Sequence, residues 1–425
     1  MSVLLENFHS PLARLLFQFL VIILATRLVG SLFKRFGQPA VIGEITAGIL
    51  IGPSLFGWVW PDASSFIFPG ESLSVLQLIS QIGVCVFMFV VGLELDPAHL
   101  RQRARAAVVI SNVGIIVPFL LGVTAAWWLH REFAAPGTTF LTFALFLGTA
   151  MSITAFPVLV RILKDRGMMK TSLGNLAIAC AAVGDVSAWA VLAVVVAIAR
   201  ATSLAGILLN LGLIVVFVGL MLFAIRPQLV RWLQVQQTDA PPGREVMAAA
   251  LIFMTISALL TEIMGIHALF GAFLAGVVMP PKKAFRDSLI VQLENFSGVF
   301  LLPLFFAFSG LRTQLGLLND ISSWLACAGI IAIAMLGKLG GSMLSARCQG
   351  MNWNEAFSLG ALMNTRGLVE LIALNIGRDL GILSPEIFTM MVLMALATTF
   401  MAGPLLNLAA RNNQPASGGS PVGLK

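Results

Sequence analysis

Long apolar runs separated by short polar stretches set the pattern of this chain. Thirteen runs can be traced, at 11–33, 38–57, 72–95, 105–130, 138–163, 171–199, 203–225, 245–263, 265–281, 288–315, 321–346, 354–377 and 384–410. A run of about 20 apolar residues, wound as an α-helix, crosses ~30 Å of hydrocarbon. The weakest division lies at Gly265, where the eighth and ninth runs almost touch. The pattern predicts an all-α polytopic membrane protein with about 13 transmembrane helices. Residues 1–410 read as one transmembrane domain and 411–425 as a short disordered cytoplasmic tail.

The basic residues test this division. Eighteen lysines and arginines fall in the loops after odd-numbered runs and five on the opposite side, while Arg27, Lys338 and Arg366 lie inside runs. Such a bias places the N-terminus outside and the C-terminus in the cytoplasm. Trp58, Trp60, Trp127, Trp128, Trp324 and Trp353 fall near run ends, where an amphipathic ring prefers the headgroup layer, whereas Trp189 sits well inside the sixth run.

Composition agrees. The 425 residues are 58% hydrophobic and 11% charged, too few charges to coat a soluble chain of this length. The net charge of +7 is spread over short loops with no basic patch interleaved with aromatics. Membrane lipid is the expected partner, and nucleic acid is not. Cys85, Cys180, Cys327 and Cys348 show no CxxC spacing and read as packing residues, and the four histidines offer no metal-site spacing. No Walker loop, HExxH or nucleophile elbow appears, so neither an enzyme nor a nucleotide-binding domain is expected. No cleavable signal peptide is expected either, because Glu6 and His9 rather than a basic segment precede the first run.

The candidate chemistry lies with ionisable residues inside the runs. A charge at the bilayer centre costs at least ~2.5–3.5 kcal/mol, so it usually faces a cavity or a partner. Asp185 lies in the middle of the sixth run. A buried carboxylate holds a proton readily, and a dehydrated cation can take the proton's place. One site that binds either ion but never both couples their fluxes when it opens alternately to two sides. Lys338, in Gly337-Lys338-Leu339-Gly340, needs a carboxylate partner to stay charged, and Asp185 is the natural one. Ser152 and Thr154 precede Pro157 in the fifth run, and Arg366 follows Asn364-Thr365 in the twelfth. A pair of interrupted runs in the two halves points to an inverted-repeat transporter whose half-helix ends form the site. Arg366 and Glu370, four apart, can pair or neutralise half-helix ends. Glu44, inside the second run, either lines an ion path or pairs structurally. Glu94, Asp96 and Glu262 read as solvated acids at run ends.

At this point the motifs resemble a known family, the monovalent cation/proton antiporter-2 family. GQPAVIGEITAGILIGPSLFG (37–57) is similar to its second-helix signature, and TAFPVLVRILKDRG (154–167), LPLFFAFSGLRT (302–313) and NTRGLVELIALNIGRDL (364–380) resemble later blocks. The resemblance implies a thirteen-helix fold with inverted repeats and two broken crossing helices. It also implies a homodimer in a bacterial inner membrane, with a moving core beside a dimerisation domain. It casts Asp185 as the ion-binding aspartate, which takes a monovalent cation transiently as substrate. Lys338 becomes the facing base, Ser152 and Thr154 the unwound stretch of span 5, and Arg366 the polar break of span 12. The expected function is secondary antiport of K⁺ or Na⁺ against H⁺, with no cofactor beyond those ions. Family members often carry Asp, Asn or Gln before the key aspartate, but here that position is Gly184. With the second carboxylate missing, one proton per cation is expected. Three other readings stay open: a gated K⁺ efflux protein on the same scaffold, a proton-coupled exporter of a small organic solute, and an ion-binding membrane sensor.

Overall fold

The computed structural model describes residues 10–94, 104–200, 204–235, 243–265 and 267–412. Asp96, Arg101 and Arg103 of the third loop and the tail from Asn413 onward lie outside the described residues. Within them the chain is helical apart from its connections and one isolated antiparallel bridge between Ala134 and Leu383.

The helices are α1 (Pro11–Arg35), α2 (Ala40–Ile51), α3 (Gly70–Glu94), α4 (Ala104–Phe133), α5 (Phe140–Ser152), α6 (Phe156–Asp165), α7 (Ser172–Arg200) and α8 (Leu204–Gly219). There follow α9 (Arg226–Val235), α10 (Arg244–Ile263), α11 (Ala268–Val278), α12 (Lys283–Phe296), α13 (Leu302–Leu311) and α14 (Ile321–Met335). The last are α15 (Gly341–Cys348), α16 (Trp353–Met363), α17 (Leu368–Asp379) and α18 (Pro385–Asn412). Two short helices, Phe56–Val59 and Pro61–Ile67, link α2 to α3. π-Helical stretches at Leu220–Ile225, Ser297–Leu301 and Leu336–Gly340 join α8 to α9, α12 to α13 and α14 to α15.

Among the described residues, ten helices are long and apolar enough to cross a membrane, and the bent pair α16–α17 makes eleven. The thirteen expected runs differ from this count at α5 and α11, which have 13 and 11 residues. At 1.5 Å per residue these reach only ~20 and ~16 Å. α5 stops because the chain turns extended at Ile153 (φ −70°, ψ 139°). α11 starts late because the chain first reverses at Gly265, whose φ of 76° suits a residue without a side chain. Pro157 occupies the first turn of α6, where no N–H is needed, so it begins a new helix rather than bending an old one.

The helices pack as two groups. One holds α1–α3 and α10–α13; the other holds α4–α7 and α14–α18, and α8 connects them. In the first group backbones touch where glycines face each other. A side chain on Gly92 of α3 or Gly276 of α11 would strike the other's Cα, the small-residue contact that membrane helices use to approach closely. Arg286, buried in this group, donates to the carbonyls of Leu93, Met279 and Pro280 and so covers two helix C-terminal ends.

Contacts between the groups include aromatic packing and directed polar bonds. Among the latter are a buried hydrogen bond from Asn375 of α17 to Ser309 of α13 (2.8 Å) and the Arg200–Glu262 pair between α7 and α10 (3.7 Å). At mid-height Trp189 of α7 stands edge-on to Phe270 and stacks on Phe273 of α11, at centroid distances of 5.3 and 6.1 Å. At one rim Arg312, just past α13, pairs with Asp379 at the end of α17 (2.8 Å) and donates to Asn375 (2.9 Å). Gln77 of α3 donates to the same aspartate (2.9 Å).

Candidate ion-binding site

The site begins with two breaks. Residues 153–155 interrupt α5–α6, and residues 364–367 interrupt α16–α17, which bends there by 42°. The breaks lie against each other. Ala155 N–H donates to the Thr365 carbonyl (3.0 Å), and the Thr154 hydroxyl donates to the Met363 carbonyl (3.3 Å). Gly367 permits this closeness, since a side chain there would meet Val158 at 2.9 Å. Thr399 of α18 holds the second break from behind, accepting from Arg366 N–H (2.9 Å) and donating to the Arg366 carbonyl (2.7 Å). Both breaks are thus stretches of non-helical backbone held by hydrogen bonds inside protein, the setting in which such backbone is tolerated at membrane depth.

A helix that stops inside the membrane leaves carbonyls unpaired and a partial negative charge at its end. At the end of α5 every one of the last four is taken. The Thr149 carbonyl accepts from the Ser152 hydroxyl (2.7 Å), and those of Ala150 and Met151 accept from the Arg366 guanidinium (3.1 and 2.7 Å). The Ser152 carbonyl accepts from the Lys338 ammonium. Arg366 also pairs with Glu370 at 3.3 Å, with both side chains fully buried. Glu370 lies in the first turn of α17, where a negative charge suits the exposed N–H groups.

Lys338 has a second acceptor, the Gly114 carbonyl of α4, at 2.9 Å. In a regular helix that carbonyl would accept from the N–H four residues on. That residue is Pro118, inside α4, and it has no N–H. The proline therefore frees the oxygen that the lysine uses. The lysine is carried by the π-helical stretch Leu336–Gly340, and Gly337 and Gly341 on either side let α4 close on it at Pro118 and Val117. Single-turn π stretches of this kind recur at functional sites.

Asp185 is 1% exposed, on the face of α7 turned to this cluster. Lys338 and the Phe156 N–H, in the first turn of α6, act on its carboxylate through space. Neither reaches it in ion-pair or hydrogen-bond geometry, and among the described residues both carboxylate oxygens lack a partner. The expected direct Lys338–Asp185 pair is therefore absent here, because the ammonium is held by two backbone carbonyls instead. Other buried polar atoms share the carboxylate's situation: the hydroxyls of Ser111 and Ser342, both ends of the Asn364 amide, Arg366 Nε and Glu370 Oε2. Buried polar groups are normally paired, so these atoms are open to a partner that the described residues do not supply.

Of the residues singled out from sequence, Asp185, Lys338, Arg366, Glu370, Ser152 and Thr154 come together around the breaks. Ser152 contributes its carbonyl to Lys338 while its hydroxyl folds back onto its own helix, and Thr154 ties one break to the other. Glu44 does not join them: it faces α1, near Gly30, with Arg27 and Lys34 as its charged neighbours. Sequence reasoning passed over Thr399, Pro118, Ser111, Ser342 and the amide of Asn364. A proline inside an apolar run four residues after a glycine was the visible signal for one of them; the others look like any small polar residue in a span.

The same arrangement has relatives. The chain is 44% identical over 398 residues to the Na(+)/H(+) antiporter NhaS4 of Synechocystis sp., a match covering 93% of this chain and 97% of that protein. It is 39% identical over 407 residues to Cation/H(+) antiporter 17 of Arabidopsis thaliana and 34% identical over 410 residues to K(+)/H(+) antiporter 1 of Saccharomyces cerevisiae. It spans only about half of those two, 48% and 47% of their lengths. Its fold is similar to the solved structure of the sodium proton antiporter MjNhaP1 from Methanocaldococcus jannaschii at pH 8, with a TM-score of 0.69 at 14% identity, covering 95% of this chain and 99% of that one. The family model described as sodium/hydrogen exchanger, transmembrane, matches residues 20–411, and the chain belongs to that family of membrane antiporters.

Proposed function

We propose that this protein exchanges a monovalent cation, Na⁺ or K⁺, for H⁺ at Asp185 by alternating access. The observation that carries the reading is a fully buried carboxylate with no partner on either oxygen, set beside two broken helices. The charges support one-for-one exchange. Lys338, Arg366, Asp185 and Glu370 sum to zero when all are ionised. Protonating Asp185 or binding a monovalent cation there gives the same net charge of +1, so both loaded forms face the same electrostatic barrier to movement. We also propose that the protein lies in a plasma membrane with its N-terminus outside, as the loop charges support, and that it works as a homodimer.

Proteoliposomes with an internal pH dye test the central claim. Outside Na⁺ or K⁺ should drive protons out of wild-type vesicles and leave Asp185→Asn vesicles silent. Because H⁺ and cation compete, the apparent KM should fall about tenfold per pH unit through the acid range. Cation-driven proton movement in Asp185→Asn equal to wild type would refute the reading.

A further inference from the structure

The missing side chain at position 184 leaves a space that another helix fills. The hydroxyl oxygen of Ser111, on α4, lies 3.1 Å from where a Cβ on Gly184 would stand. One turn along the same helix, the Ser342 hydroxyl lies 2.7 Å from the Cβ position of Gly114, whose carbonyl holds Lys338. Ser111 and Ser342 are 1% and 0% exposed, and neither hydroxyl has a hydrogen-bond partner among the described residues.

Among the buried serines and threonines of the described residues, Ser345, one turn beyond Ser342 on α15, shares that state. Thr46, Ser80, Thr149, Ser309 and Thr398 all turn their hydroxyls back onto the carbonyl four residues earlier, the default for a helical serine or threonine with nothing else to bond. Ser111 and Ser342 instead stand at the seam where α4 meets α7 and α15, Ser111 against Gly184, the residue that precedes the equally unpartnered Asp185, and Ser342 against Gly114. A hydroxyl offers two lone pairs to a hard cation, and alkali cations prefer oxygen ligands.

We infer that Ser111, with Ser342 behind it, supplies the cation-coordinating oxygens that a glycine at 184 cannot, and so sets the affinity and selectivity for the alkali cation at Asp185. The inference rests on the exchange reading above. In it, the cation sheds water at Asp185 and regains oxygen ligands from α4 and α15, while a proton needs only the carboxylate. Removing the hydroxyl therefore weakens the cation and spares the proton.

The test measures proton movement driven by Na⁺ and by K⁺ at one pH, together with the rise in melting temperature that each cation gives the purified protein over choline. Ser111→Ala should raise the cation KM about five- to tenfold, change the Na⁺ to K⁺ preference, shrink the cation-induced melting shift, and keep the maximal rate within about twofold. Moving the hydroxyl across the seam, with Ser111→Gly and Gly184→Ser together, should restore the KM to within about threefold of wild type. If Ser111→Ala does not fold, Ser342→Ala and the swap carry the same measurements. Unchanged KM, preference and melting shift in the folded variants, with wild type active and Asp185→Asn silent, would overturn the inference alone. A wild type that neither moves protons nor is stabilised by any alkali cation would overturn the exchange reading and the inference together.

Discussion

Lys338 shows how a residue's role depends on what its neighbours lack. From sequence alone the expected partner of a buried ammonium is a carboxylate, and Asp185 is in range to act on it. The structure gives the lysine two backbone oxygens instead, one at the end of a half-helix and one released by Pro118. On the proposed cycle, one ammonium held by two carbonyls and within the field of Asp185 can turn to the carboxylate when it is empty and back to the carbonyls when it is loaded. Pro118→Ala tests this. It returns an N–H to α4 and removes a residue that costs a helix interior about 3 kcal/mol, so the purified protein should melt at an equal or higher temperature. The Gly114 oxygen is then occupied, and cation-driven proton movement should drop about tenfold. Lower stability together with full activity would contradict the role given to the proline.

At the scale of elements, the helices themselves were legible in the apolar pattern, and the places where it misled are informative. The fifth and twelfth runs, expected from their polar interruptions to be broken, are pairs of helices, α5–α6 and α16–α17, separated by non-helical backbone. The expected count of thirteen spans is where the pattern and the helices part. Hydropathy cannot distinguish a kink from a break, because Ile153 and Ala155 are as apolar as the helices they separate. What distinguishes them is hydrogen bonding across the chain, here between residues about 200 positions apart. The charged members of the site were readable because a charge in an apolar run is costly and therefore conspicuous. Thr399 was not, because the last run holds Thr398 beside it and only one of the two points at Arg366. Glu44 was conspicuous for the same reason as Asp185, yet it serves the α1–α2 contact, and a charge's sequence depth alone does not separate those cases.

At the scale of the whole molecule, α1 presents Leu12, Leu16, Leu20, Leu24, Leu28 and Leu32 outward at a four-residue spacing, each about half exposed or more. Such a ridge fits the groove of a second helix, and it supports the proposed homodimer. Leu20→Cys in an otherwise cysteine-free protein should cross-link copies in native membranes, and its failure under oxidant would move the interface elsewhere. The two helix groups within one chain meet differently. Around Trp189 they touch through aromatic faces, which can slide past each other without breaking a directed bond. The partly exposed ion pairs between the groups, Arg312–Asp379 with Gln77 at the rim and Arg200–Glu262 between the ends of α7 and α10, exchange protein partners for water when the groups shift. Partly exposed ion pairs are weakened by dissolved salt, with a Debye length of about 8 Å at physiological ionic strength. The cycle should therefore feel salt from one side of the membrane only. Adding choline chloride on the side of that rim should change the turnover rate, while the same salt on the other side leaves it alone and the cation KM stays where it was.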